Sequence, residues 1–170
     1  MLRVAAYVGL AAMAVSSVAL IPRFRSRSFF FSFAMGLAAA APPFALQQQA
    51  RSAPPINDIS TDAPGAAQRA GYPDIASIML GEAKEEAFGR TLAVARELGW
   101  EIIAADPAGG RFDAVDTTLW FGFKDDVTVR VAAAPGGGSR VDVRSKSRVG
   151  VSDVGANAKR IRSFRAKLLK

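Results

Sequence analysis

Between residues 127 and 149 apolar and polar side chains alternate. Val127, Val129 and Val131 are separated by Thr128 and Arg130; Val141 and Val143 are separated by Asp142, and Arg144, Lys146 and Arg148 continue the polar set. A period of two puts each set on its own side of a strand, so one side is core and the other is charged. The Pro-Gly-Gly-Gly run at 135–138 is turn-like, and strands joined by a short turn pair antiparallel. A hairpin centred near Gly136 sets Arg130 opposite Asp142, Thr128 opposite Arg144 and Asp126 opposite Lys146. These neighbours are complementary or neutral, as cross-strand pairing favours.

The period changes on either side of this hairpin. Over 78–98 a stripe of Ala83, Ala87, Phe88, Thr91, Leu92, Val94, Ala95 and Leu98 predicts an amphipathic helix. Gly99 followed by Trp100 suits a left-handed C-terminal cap with an apolar contact back onto the helix. Strands are expected at 100–105, 111–123, 127–134 and 140–149, separated by turn-like DPAGG, KDD and PGGG. Ser152 or Asp153 then caps a last helix over 154–169, whose apolar side is Val154, Ala158, Ile161, Phe164 and Leu168. The order helix, four strands, helix predicts an α+β two-layer domain over 76–170, with both helices on one face of a four-stranded antiparallel sheet.

The front of the chain reads differently. Residues 4–21 and 29–46 are uncharged runs of 18 residues each. At 1.5 Å per residue each reaches about 27 Å, against a hydrocarbon core of about 30 Å. The expectation is a transmembrane helical hairpin over 1–50, with a cleaved signal peptide as the other reading of the first run. Arg23, Arg25 and Arg27 crowd the segment between the runs, and positive residues favour the cytoplasmic side. Both chain ends are then expected outside the cytoplasm, with the soluble domain facing the periplasm or cell exterior. Residues 51–75, rich in Ala, Pro, Gln and Gly, are expected as an extended linker in which Ile56 and Ile59 could pin the chain down.

Charge changes the picture because it is segregated. The net +7 resolves into five arginines and no acid over 1–51, a balance of −6 over 52–138, and +8 over 139–170. An acidic body with a basic end attracts itself. Nucleic acid is not expected as a partner, since an exported domain meets little of it and no aromatic-basic interleaving marks a platform. The final helix carries Lys159, Arg160, Arg162, Arg165, Lys167 and Lys170, a basic side that could touch the headgroups of a lipid bilayer.

Candidate chemistry is narrow. With no histidine and no cysteine, the chain lacks the commonest general base, the thiolate nucleophile and every nitrogen or sulfur zinc ligand. No metal site, cofactor or catalytic residue is expected, and PGGG matches no phosphate or dinucleotide loop. Carboxylate chemistry by Asp116, Asp125 and Asp126, in a histidine-free hydrolase or transferase, is the alternative. The favoured reading is a non-enzymatic binding or interaction module for an envelope protein or an anionic or amphipathic ligand. Its candidate residues are Asp126, Arg130, Asp142, Arg144, Arg148, Asp153 and Asn157. Arg144 and Arg148, with the first N–H groups of the last helix near Asp153, could form an anion site.

Five blocks carry a resemblance: PPINDISTD at 54–62, YPDI at 72–75, EAFGRTLAVARELGWEI at 86–102, TLWFGFKDDVTVRV at 118–131 and RVDVRSKSRVGVSDVGANAKRIRSF at 140–164. Through them the chain resembles the bacterial proteins of domain of unknown function 1499. The resemblance implies a membrane-anchored envelope domain preceded by hydrophobic helices. It implies no activity, cofactor or catalytic residue.

Overall fold

A computed structural model describes residues 31, 34, 35, 37, 38, 54, 56–118, 122–149 and 155–170. The chain divides into two units, Met1–Ser52 and Ala53–Lys170. The described positions of the first unit are helical and exposed. The second unit runs β1 (Asp58–Ser60), α1 (Ala66–Gly71), β2 (Ile78–Leu80), α2 (Lys84–Glu97), β3 (Glu101–Asp106), β4 (Arg111–Thr117), β5 (Lys124–Ala133), β6 (Ser139–Ser147) and α3 (Ala156–Leu168).

Its sheet has six antiparallel strands in the order β1-β6-β5-β4-β3, with β2 also pairing with β6. The central hairpin has the expected register: Arg130 lies opposite Asp142, Thr128 opposite Arg144 and Asp126 opposite Lys146. Gly136, Gly137 and Gly138 in its turn all have positive φ. Gly138 is required on a second ground, because a Cβ there would sit 2.3 Å from the carbonyl oxygen of Leu80.

Several expectations are corrected. The sheet is not four-stranded: the three-residue strands β1 and β2 lie end to end along the free edge of β6, β1 at 144–146 and β2 at 139–141. Strands this short leave no alternation to read. Ile78, Met79 and Leu80 also merge with the apolar stripe of the following helix, which begins only at Lys84. A third helix, α1, forms in the stretch read as extended. In place of the two transmembrane helices expected at the front, no helix among the described residues is long and apolar enough to cross a membrane. The runs 4–21 and 29–46 fall outside those residues, apart from five helical positions.

One sheet face is covered by α2 and α3. Phe112, Val127, Val129, Val141 and Val143 point into that layer and are almost wholly buried, as are Phe164, Ile161 and Leu168 from α3. Complete burial of such side chains stabilises by about 1.5–3 kcal/mol each. Phe164 stacks on Trp100 at 5.2 Å between centroids, and Phe88 of α2 meets Phe112 edge-on. Trp100 is held there by the helix end. Gly99 has φ 83°; its N–H donates to Arg96 and that of Trp100 to Ala95, the two bonds of a left-handed glycine cap. The last helix starts later than expected: its N-cap is Gly155, at φ 82°, and Ser152 and Asp153 lie outside the described residues.

Candidate binding groove on the outer sheet face

Turned away from the two packed helices, the other sheet face is polar. Reading across the strands, Arg111 of β4 faces Arg130, which faces Asp142; Asp113 faces Thr128, which faces Arg144, which faces Ser60. Period two places all of these on one side, because Val127, Val129, Val131, Val141 and Val143 occupy the other.

Residues following β1 fold back over this face and turn it into a groove of about 490 Å³. Its floor includes Arg111, Thr128, Arg130 and Arg144, and its walls include Ile56, Ala63, Gly65, Ala67 and Gln68. Gln68 of α1 is buried and secures the wall: the backbone N–H of Ser60 donates to its Oε1 at 3.0 Å, and its Nε2 donates to the carbonyl of Ser60 at 2.5 Å. Asp142 secures the floor. Its carboxylate accepts from Arg140 Nε at 2.9 Å, from Ser77 and from Thr61, tying both edge segments to β6.

The ion pairs of this face run diagonally or along a strand rather than straight across. Arg144 reaches Asp58 of β1 through two hydrogen bonds, and that carboxyl is held below its ordinary value of 3.8 by the guanidinium. Arg148 grips Asp126. Arg111 makes two bonds to Asp113 on its own strand. Burial alone would raise the Asp113 carboxyl, but hydrogen bonds from Arg111 and Thr128 hold it below the usual range. Asp62 at the rim is lowered, chiefly by the hydroxyl of Ser60.

The helix-covered face holds a second polar cluster. Asp116 and Asp125 are directly opposed on β4 and β5, and Arg160 of α3 enters between them, with Nε to Asp116 and an Nη to Asp125, both at 2.6 Å. Its other Nη donates to Ser145 Oγ at 2.8 Å and Asn157 Oδ1 at 2.6 Å. Asn157, fully buried, also accepts from Ser145 and donates to Ser147 and to the carbonyl of Asn57. Every carboxylate of the alternative catalytic reading therefore meets a cation: Asp116 and Asp125 meet Arg160, and Asp126 meets Arg148. Among the described residues no group of three or more acidic side chains is placed to hold a metal ion.

The sequence candidates separate accordingly. Arg130, Asp142 and Arg144 line the groove; Asp126 and Arg148 pair with each other further along the same face; Asn157 lies on the opposite, helix-covered face; Asp153 falls outside the described residues. Arg144 and Arg148 point away from the sheet face on which α3 packs, and the N–H groups near Asp153 suggested as their partners in an anion site lie outside the described residues. Arg160, counted with the basic surface of that helix, is buried. Sequence reasoning missed Arg111, Asp58, Asp62 and Gln68. The first was legible as another polar position of an alternating strand; the others needed the edge segment to fold back.

Fold and groove together define an α+β domain in which a six-stranded antiparallel sheet carries two packed helices on one face and an arginine-floored groove on the other. The chain belongs to the family described as protein of unknown function (DUF1499), whose model matches residues 38–168. That description assigns no activity, ligand or membrane anchor. No curated protein matches the chain.

Proposed function

We propose that the domain is a non-enzymatic binding module that holds a small anionic ligand in the groove between the outer sheet face and the 61–68 segment. The observation that carries this reading is the groove itself: about 490 Å³, with Arg111, Arg130 and Arg144 at its floor and Ile56, Ala63 and Ala67 at its sides; of the carboxylates that also line it, Asp58 is bonded to Arg144 and Asp142 to Arg140, and Asp62 stands 3.9 Å from Arg130. A concave site with a few convergent charged groups and some apolar wall is the usual form of a small-molecule site. The non-enzymatic part of the reading is supported by the pairing of Asp116, Asp125 and Asp126 with arginines, which occupies the carboxylate oxygens that a reacting group would have to reach. A location outside the cytoplasm belongs to the same proposal and rests on the arginines that cluster between the uncharged runs of residues 1–51.

Native mass spectrometry of the full chain, gently extracted from its source, tests the proposal. A retained small molecule that is lost when Ala67→Trp fills the groove is the expected result. A bare polypeptide mass under several mild conditions overturns it. For the location, a C-terminal reporter that works only in the cytoplasm should stay silent, and activity of that reporter rules the location out.

A further inference from the structure

Residues of like charge placed directly opposite each other weaken a sheet. Strands β4 and β5 contain two such pairs, Asp116 opposite Asp125 and Arg111 opposite Arg130. The acidic pair is closed by the chain's own cation, Arg160, bonded to both carboxylates. Among the described residues no group is hydrogen-bonded to both arginines of the basic pair, although Asp113 stands beside Arg111 and Asp142 stands opposite Arg130. Arg111 is bonded to Asp113 beside it, and Arg130 meets Asp62 at 3.9 Å, beyond hydrogen-bond length. Arg140, Arg144 and Arg148 of the same face are each hydrogen-bonded to a carboxylate, so Arg130 is the arginine with donors to spare. Its side chain is 59% exposed and that of Arg111 48%, and both line the groove.

We propose that Arg111 and Arg130 form the seat of an oxyanion, the carboxylate or phosphate head of the ligand that the groove takes. This rests on the reading of the groove given above. Side chains directly opposed on adjacent strands start about 4.5–5.5 Å apart at Cβ, so two guanidinium groups can grip one oxyanion from two sides. Their planar forks match carboxylate and phosphate oxygens. The bound anion does for the basic pair what Arg160 does for the acidic one: it places the opposite charge between two like ones. The repulsion built into the empty seat is then relieved on binding.

A merely structural arginine and an anion seat respond in opposite ways to Arg130→Gln. Thermal unfolding of the full chain is followed in chloride, inorganic phosphate and succinate at equal ionic strength. The expected result is a midpoint raised by phosphate or succinate over chloride, because a ligand of the folded state stabilises it. In R130Q the chloride midpoint is unchanged or higher, and about tenfold more anion or greater is needed for the same rise, as loss of one charged hydrogen-bonded contact implies. In R130K, which keeps the charge and loses the fork, the response is intermediate. A rise with phosphate alone assigns a phosphate head; a rise with both anions assigns oxyanions generally. The seat is overturned by R130Q unfolding several degrees earlier in chloride with its anion response intact, or by a parent chain indifferent to both anions. Native mass spectrometry tells the two failures apart. A small molecule retained equally by the parent and R130Q, yet lost in A67W, leaves the groove reading standing without this seat; a molecule retained by none of them ends both.

Discussion

The two faces of this sheet use the same polar side chains, arginine and aspartate, under different conditions. On the helix side, Arg160 has a side chain only 5% exposed and every bond it makes is to a fixed group of the fold. On the outer side the arginines of the ion pairs remain roughly half exposed. Taking a charge out of water costs several kcal/mol, and it is repaid only when geometry and partners are complete. The buried cluster is complete, and its members depend on one another. The exposed pairs are screened by water and each could be exchanged at small cost. The comparison separates structure from function: polar groups that must be satisfied sit under the helices, and groups free to change partners sit where a ligand can arrive.

Four substitutions probe that contrast. The largest effect is expected from Arg160→Met, which leaves Asp116 and Asp125 facing each other without a cation; loss of one partner from a buried ion pair costs about 3–5 kcal/mol, measured by urea unfolding. The triple variant D116N/D125N/R160M should recover most of that loss. If it unfolds as early as the single variant, the damage is one of packing and not of uncompensated charge. Next comes Asn157→Ala, which strips hydrogen bonds from Ser145, Ser147 and Arg160 and should cost about 1–3 kcal/mol as buried polar groups lose their partner. A cost below measurement error would show that water substitutes there.

On the outer face Arg144→Met should cost only about 0.2–1 kcal/mol near neutral pH, and its effect should depend on acidity. Asp58 has a folded-state pKa lowered below 3.8 by Arg144. Its contribution is therefore fully present above that value and is lost as pH falls through the lowered one. Melting curves of the parent and R144M should converge as the pH drops below the ordinary carboxylate value; a gap that stays constant to pH 2 would show that the pair does not set this dependence. The smallest effect belongs to Arg130→Gln in chloride, within about 0.5 kcal/mol of the parent, and its sign should be stabilising. A clear loss of stability would place Arg130 with Arg160 and remove the contrast between the faces.

Much of the central hairpin was legible in the sequence. Valines at every second position declare a core face, and the glycine-rich turn at 135–138 fixes which residues stand opposite. The cap at Gly99 and the apolar stripe of α2 were legible for the same reason: each is a local pattern with a local cause. The partners of the charged side chains were not. Arg144 stands opposite Thr128 on one side and Ser60 on the other, yet it bonds to Asp58. A long flexible side chain reaches diagonal neighbours about 7–8 Å away as readily as the one across. The groove was hidden for a related reason, since its walls come from a segment whose composition reads as a linker.

The sequence by itself determined which way each residue of β5 and β6 points, because alternation and a short turn are properties of neighbouring positions. Tertiary structure alone decided that Asp58–Ser60 and Ile78–Leu80 would extend the sheet along β6, and that one opposed pair of like charges would close on Arg160 while the other opened into a groove. Those outcomes depend on groups separated by tens of residues. Their energies exist only once the chain has brought them together.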